Sequence, residues 1–392
     1  MSSQLLQSVD RERLVALTRD LVRIPSVTGE EGEVAEFVAR RMEALGLEVQ
    51  VAEAEPARPN VVGRLRGSVG RPVLVYNGHT DIVPTGDRKL WSRDPYGGEV
   101  IDRKLYGRGS QDMKAGLAAM METVEALRRS ETQLRGDLVL EAAVDEERGG
   151  YLGTRWLVEN GFIGDFGVVC EGGDLKLHTC HKGDYGVEIR TIGKATHAAT
   201  PEKGVNAVHK MIDVANALLA IPKRFHWDKR THPLAGPPLI SLSLIEGGIQ
   251  RNMVPDRCRM VVDRRVVPRF ESVDDARREF QTVLSELQGK DPELMIETNE
   301  IIDVEPAEVS ETEPVVVAMQ AAAERALGHR LEVAGLKGFT DAHWMVNQHA
   351  IPTVSFGTEG ENIHGVDEYV EIDSIVSVAK VLTQLASDLL AE

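Results

Sequence analysis

An α/β core with a mixed, mostly parallel sheet flanked by helices, interrupted by an inserted ferredoxin-like βαββαβ domain, is the architecture this 392-residue sequence predicts. Three observations lead there. Short apolar runs at 72–76, 138–144, 166–170 and 351–356 have the uniform character of strands buried on both faces. Between the first two, residues 113–128 are rich in Ala, Met and Leu at helical spacing, so strand and helix alternate as parallel βαβ units require. Residues 185–302 then read in the order strand, helix, strand, strand, helix, strand.

Taken along the chain, Leu14, Leu17, Leu21 and Ile24 form a helical stripe that stops at Pro25, and Val34, Phe37, Val38, Met42 and Leu45 form another that stops at Gly46. The N-terminus is therefore expected to open with two helices. In the middle segment, strands are expected at 185–191, 239–245, 257–267 and 294–302, with helices at 205–221 and 273–287. The core resumes with a helix at 314–327 and the strand at 351–356. These readings give domain bounds of 1–181 and 304–392 for the two parts of the core and 182–303 for the insertion.

Composition narrows the partners. Forty-five Lys and Arg against 62 Asp and Glu give a formal charge of −17, which repels phosphate backbones and anionic lipid, so neither nucleic acid nor membrane is expected. No stretch reaches ~18 uncharged apolar residues, and residues 1–20 lack the apolar core of a signal peptide. Cys170, Cys180 and Cys258 are odd in number and form no CxxC pair, which points to buried thiols in a reducing, cytoplasmic setting.

In open α/β sheets ligands collect at the carboxyl ends of the strands. Polar residues just after the apolar runs therefore carry the most weight. After 72–76 come His79 and Asp81; after 138–144 come Asp145, Glu146 and Glu147; after 166–170 comes Glu171; after 351–356 comes His364. Singly, each is weak, because HxD and EE pairs are common on solvated surfaces. Jointly, they bring imidazoles and carboxylates to one edge, and so many carboxylates repel one another unless cations neutralise them. Nitrogen and oxygen donors together suit Zn²⁺ or a neighbouring first-row ion, and the lack of Cys suits a catalytic rather than a closed structural site. Asp112, in a Gly-rich turn at the mouth of a helix, could serve two ions. Glu146 and Glu147 offer one carboxylate for metal and one for a proton.

These residues, together with Gly78-His79-Thr80-Asp81, Gly107-Arg108-Gly109 through Lys114, the stretch 193–207 and the stretch from Ile363 to Tyr369, resemble the di-zinc amidohydrolases. That family includes acetylornithine deacetylase, succinyl-diaminopimelate desuccinylase, aminoacylase and glutamate carboxypeptidase. The resemblance implies that His79, Asp112 and Glu171 bind one ion, and that Asp112, Glu147 and His364 bind the other. Two divalent ions per chain are implied, zinc first, with cobalt or manganese as alternatives. Glu146 matches the general base that activates a zinc-bound water, and Asp81 the carboxylate that orients His79. His197 matches an oxyanion donor carried by the inserted domain, which in the family acts as a lid and forms homodimers, the histidine reaching the partner subunit's active site. Asn252 and Arg265 match positions that hold a substrate carboxylate.

The activity so implied is hydrolysis of the amide bond of an N-acyl-amino acid, with a dipeptidase or carboxypeptidase as the alternative and a non-catalytic binding homologue as a remote one. Two stretches depart from the family pattern: Gly172-Gly173-Asp174 follows Glu171, and Gly357-Thr358-Glu359 stands before the final histidine. Both bear on substrate identity more than on metal binding. Asp341 and His343 lie in a family loop near the substrate without an assigned role.

Overall fold

In the computed structural model, which describes residues 2–391, the first apolar run becomes the strand Val73–His79, with all seven residues buried. Its side chains alternate between two cores. Leu74 and Tyr76 face a large cluster shared with the helices Arg11–Val22, Ala115–Arg129, Pro314–Leu327 and Ile372–Leu390, while Val73 and Val75 face a smaller one with Leu157, Trp344 and Met345. Asp137–Ala143 divides in the same way: Leu138, Leu140 and Ala142 on one side, Val139 and Ala143 on the other. Two-sided burial is what made these segments continuous apolar runs in sequence.

The chain divides into two compact units, one made of 1–179, 309–334 and 340–392, the other of 180–308 with 335–339. In the first, the strands Asp137–Ala143, Val73–His79, Phe166–Val169 and Thr353–Ser355 lie side by side and parallel. Glu48–Glu53 and Pro59–Leu65 extend this sheet antiparallel at one edge, and Leu177–His181 pairs antiparallel with Thr353–Ser355. The sheet is thus mixed, with a parallel centre.

Several elements lay outside the sequence reading. A short helix, Ser2–Gln7, precedes the two expected ones, so the N-terminus opens with three. The edge strand Glu48–Glu53 is mostly exposed, so it lacks the apolar run that betrays the central strands. A second sheet, ordered Gly360–Glu361, Tyr369–Glu371, Lys104–Tyr106, Glu99–Ile101, is built from pieces of two or three residues, too short to show periodicity.

The other unit has its four strands in the order Leu239–Gly247, Arg257–Val266, Gly183–Ile192, Met295–Val304, all antiparallel. The first and fourth strands in sequence lie beside each other, with the third next to the first, as a ferredoxin-like unit requires. Helices Ala207–Leu219 and Val273–Lys290 bury Met211, Val214, Phe280 and Val283 against this sheet. Each starts on a cap: the Asn206 side chain accepts from Val208 and His209 N–H, and Ser272 and Asp275 form a reciprocal box.

Candidate active site

Parallel register places the chemistry. His79 ends its strand opposite Ala143, so the turn after it, Thr80-Asp81, lies against the turn Asp145-Glu146-Glu147. The Asp81 carboxylate stitches these turns together, accepting from the Glu146 N–H at 3.2 Å, the Glu147 N–H at 3.3 Å and the Thr28 hydroxyl at 2.9 Å. His79 Nδ1 meets the backbone carbonyl of Asp81 at 2.9 Å, nearer than the carboxylate at 3.6 Å. The main-chain oxygen is the nearer partner of the imidazole, while the Asp81 carboxylate both reaches the ring and aims the Glu146-Glu147 turn. Asp145 itself has a left-handed backbone, φ 73°. Its carboxylate is held there by Arg58, which also forms a two-pronged pair with buried Glu31.

With Nδ1 facing a carbonyl, the neutral His79 ring carries its proton on Nδ1 and turns a lone pair at Nε2 toward Asp112 Oδ1, 3.0 Å away, and Glu171 Oε2, 3.3 Å away. Across the bridge, His364 Nε2 stands 3.0 Å from Asp112 Oδ2 and 3.0 Å from Glu147 Oε2. Asp112 thus gives one oxygen to each set. The ligand atoms within each of the two sets, His79-Asp112-Glu171 and Asp112-Glu147-His364, lie within 4.8 Å of one another. Three acceptors turned on one point fit a cation and little else, and mixed imidazole and carboxylate donors fit a first-row divalent ion.

Left to itself, the cluster balances charge with protons. Hydrogen bonds to Asp112 and Glu147 push the His364 imidazole up to about 10. Burial, reinforced by the charge on Asp112, raises Glu171 to about 8. Against the cost of burial, the charge on Glu171 and the hydrogen bond to Asp112 hold His79 protonated as well. Asp112 stays well below the usual carboxylate range despite its burial, because His364 and the protonated His79 both donate to it. Glu146 is 7% exposed, and burial lifts its carboxyl well above the ordinary value.

The three remaining sequence candidates lie in the second unit. Segments 196–198 and 252–254 pair: the Ala198 N–H donates to the Asn252 carbonyl at 3.0 Å and the Val254 N–H to the Thr196 carbonyl at 2.9 Å. His197 and Asn252 are thereby brought onto one loop pair. The Ala199 N–H donates to His197 Nδ1 at 3.0 Å, leaving the proton of the neutral ring on Nε2. Arg265 stands apart, its Nε and Nη2 each 2.8 Å from Asp263, with Asp184 3.2 Å away.

Sequence reasoning passed over a buried polar chain behind the site. Asn77 Nδ2 donates to Glu141 at 3.0 Å and to the Thr154 hydroxyl at 2.9 Å, and that hydroxyl donates to Asp341 at 2.7 Å. Asn77 and Glu141 interrupt apolar strands, and that interruption was the available signal. The two stretches that depart from the family pattern meet each other: the Gly173 and Asp174 N–H groups both reach the Thr358 carbonyl at 3.2 Å. Gly357 has no room for a side chain, since a Cβ there would lie 1.9 Å from the Glu171 carbonyl oxygen.

Fold and site together define a metal-dependent amidohydrolase. The chain belongs to peptidase family M20/M25/M40, whose sequence profile matches residues 75–388. It is 30% identical to the succinyl-diaminopimelate desuccinylase of Cereibacter sphaeroides, over 95% of this chain and 98% of that one. It is 27% identical to the N-formyl-4-amino-5-aminomethyl-2-methylpyrimidine deformylase of Bacillus subtilis, over 95% and 93%. The solved structure of the di-peptidase Dug1p from Saccharomyces cerevisiae superposes with a TM-score of 0.83 at 15% identity, covering 98% of each chain. No helix among the described residues is long and apolar enough to cross a membrane.

Proposed function

We propose that this protein hydrolyses the amide bond of an N-acyl-amino acid, with two divalent ions held by His79, Asp112 and Glu171 on one side and by Asp112, Glu147 and His364 on the other. One observation carries the reading: the two oxygens of Asp112 face two separate imidazole and carboxylate sets. Zinc is the first choice of ion, with cobalt and manganese as alternatives. When bound, such ions act as Lewis acids toward the carbonyl and make water more acidic. Glu146 accepts the proton of the attacking water and returns it to the departing nitrogen. Asp81 keeps Glu146 and Glu147 in place through their N–H groups.

His197 donates from Nε2 to the developing oxyanion, a contribution of about 3 kcal/mol by analogy with single donors in other hydrolases. Asn252 and Arg265 meet the substrate carboxylate, for which Arg265 exchanges a bond to Asp263 or Asp184. The 30% relative is a desuccinylase and the 27% relative a deformylase, and both favour an acylated amine over a peptide as substrate. A homodimer in the cytoplasm completes the proposal, the latter supported by three free, buried thiols.

The test is a panel of N-succinyl, N-acetyl, N-formyl and dipeptide substrates with Zn²⁺, Co²⁺ or Mn²⁺ added in turn, alongside metal analysis of the purified chain. Two ions per chain and chelator-sensitive turnover of an N-acyl substrate are expected. Absence of metal uptake removes the reading; preference for dipeptides replaces the deacylase by a dipeptidase.

A further inference from the structure

We infer that Glu368, with Arg108, is a positioning residue that presets the second ion site by clasping the His364 loop to the Asp112 loop. The inference rests on the two-ion reading above. His364 lies on an exposed loop between the short strands Gly360–Glu361 and Tyr369–Glu371, and its backbone is left-handed, φ 60°. Residues 361–367 are all at least partly exposed, whereas Glu368 is fully buried. A carboxylate so placed at the end of a solvated loop needs partners.

Those partners are on the segment that carries Asp112. Glu368 Oε2 accepts from Arg108 Nη1 at 2.7 Å and the Gly109 N–H at 3.0 Å, and Oε1 from the N–H groups of Gln111 at 3.0 Å and Asp112 at 3.2 Å. The turn wraps the carboxylate in the main-chain donors of Gly109, Gln111 and Asp112, an anion nest whose occupant comes from the same chain. Gly109 makes the wrap possible with φ 77°, where an added Cβ would also sit 2.5 Å from Ile82. Arg108, 2% exposed, returns the tie: its Nη2 donates to the Gly365 carbonyl, next to His364, at 2.9 Å, and the Gly107 N–H donates to the Glu368 carbonyl at 2.9 Å. The clasp therefore grips the His364 loop at two points just after the imidazole, Gly365 and Glu368, and grips the Asp112 backbone directly.

The two ion sites do not depend on it equally. His79 and Glu171 are mounted at the ends of buried parallel strands, and the clasp touches neither. His364 has a half-exposed side chain and no strand of length beneath it. Without the clasp the first site keeps two of its three ligands in place; the second keeps only Glu147.

The test is metal titration of the metal-free chain by calorimetry, with metal content after dialysis and thermal melting measured on the same samples. For Glu368→Gln, whose amide nitrogen opposes the surrounding donors, we expect a folded protein. It should bind the second ion about 10–100-fold more weakly, the range usual for loss of an outer partner of a ligand, with a clearly smaller loss at the first ion. Arg108→Lys, which cannot span both Glu368 and Gly365, should shift the same step in the same direction, again with the smaller loss at the first ion. Wild-type affinity for both ions in these variants, or equal weakening of both, overturns the clasp. Failure of the wild-type chain to take up two ions strikes the two-ion reading instead, so the failures are separable. Should Glu368→Gln not fold, the lysine variant alone decides.

Discussion

His79 and His364 face opposite oxygens of the same aspartate from different supports. The His79 side chain is 1% exposed at the end of a strand buried on both faces, and its Nδ1 proton is fixed by a main-chain carbonyl. The His364 side chain is 51% exposed on a loop between two strands of two and three residues. Rigid strand ends hold ligands by packing, whereas the loop needs local ties. One half of the site is thus a product of the core and the other of a few polar contacts, and the halves should respond differently to substitution.

Asp112→Asn should have the largest effect, because it weakens the bridge in both halves at once. Hydrolysis is expected to fall to background and metal content from two ions to one or none; retention of both ions would end the bridging assignment. Glu146→Gln comes next, with kcat lowered by about 10²–10⁴-fold and both ions still bound, since general acid–base groups contribute on that scale. Loss of an ion there would show that Glu146 is a ligand. His79→Ala and His364→Ala then separate the halves. The first should lower the melting temperature of the metal-free chain by several degrees, as it opens a buried space and leaves polar partners unmatched. The second should leave it near wild type, because half-exposed ion pairs contribute little, while abolishing the second ion in a titration. Equal melting temperatures for the two variants would erase the distinction between supports.

The same distinction explains what could be read from sequence. His79, Glu146, Glu147 and Glu171 follow apolar runs, and such runs are visible because burial on both faces excludes polar residues from them. His364 follows residues 351–356 by eight positions, and its place opposite Asp112 depends on a sheet of fragments with no period to detect. The link came through residue types and resemblance, not through local pattern. Arg58 and Glu31 were illegible for a different reason: a lone charge in a loop looks solvated until tertiary structure buries it against Asp145. The inserted unit was easy by contrast, since strands with one face against helices alternate and amphipathic helices announce their stripe. What that reading could not supply was the Asp184 pairing of Arg265, which takes a register between neighbouring strands to see.

The buried half also carries a cost that the loop half lacks, and this gives the smallest of the expected effects on turnover. Glu141 lies in the middle of a fully buried strand, where the Asn77 amide donates to it, and burial, helped by the charge on Asp341, raises its carboxyl to about 8. A folded value above the unfolded value of about 4.3 means that the fold prefers the protonated form. The stability so conferred is complete below the unfolded value and is lost as pH rises through about 8, at no more than about 1.4 kcal/mol per pH unit for a single proton. Glu141→Gln keeps an acceptor for Asn77 and removes the titration. Its stability relative to wild type should therefore climb between pH 5 and pH 8 and level off above, with turnover near wild type throughout. Urea unfolding of both chains at several pH values checks this; two curves that stay parallel would mean that Glu141 is ionised in the fold and that the Asn77–Thr154–Asp341 chain accommodates its charge.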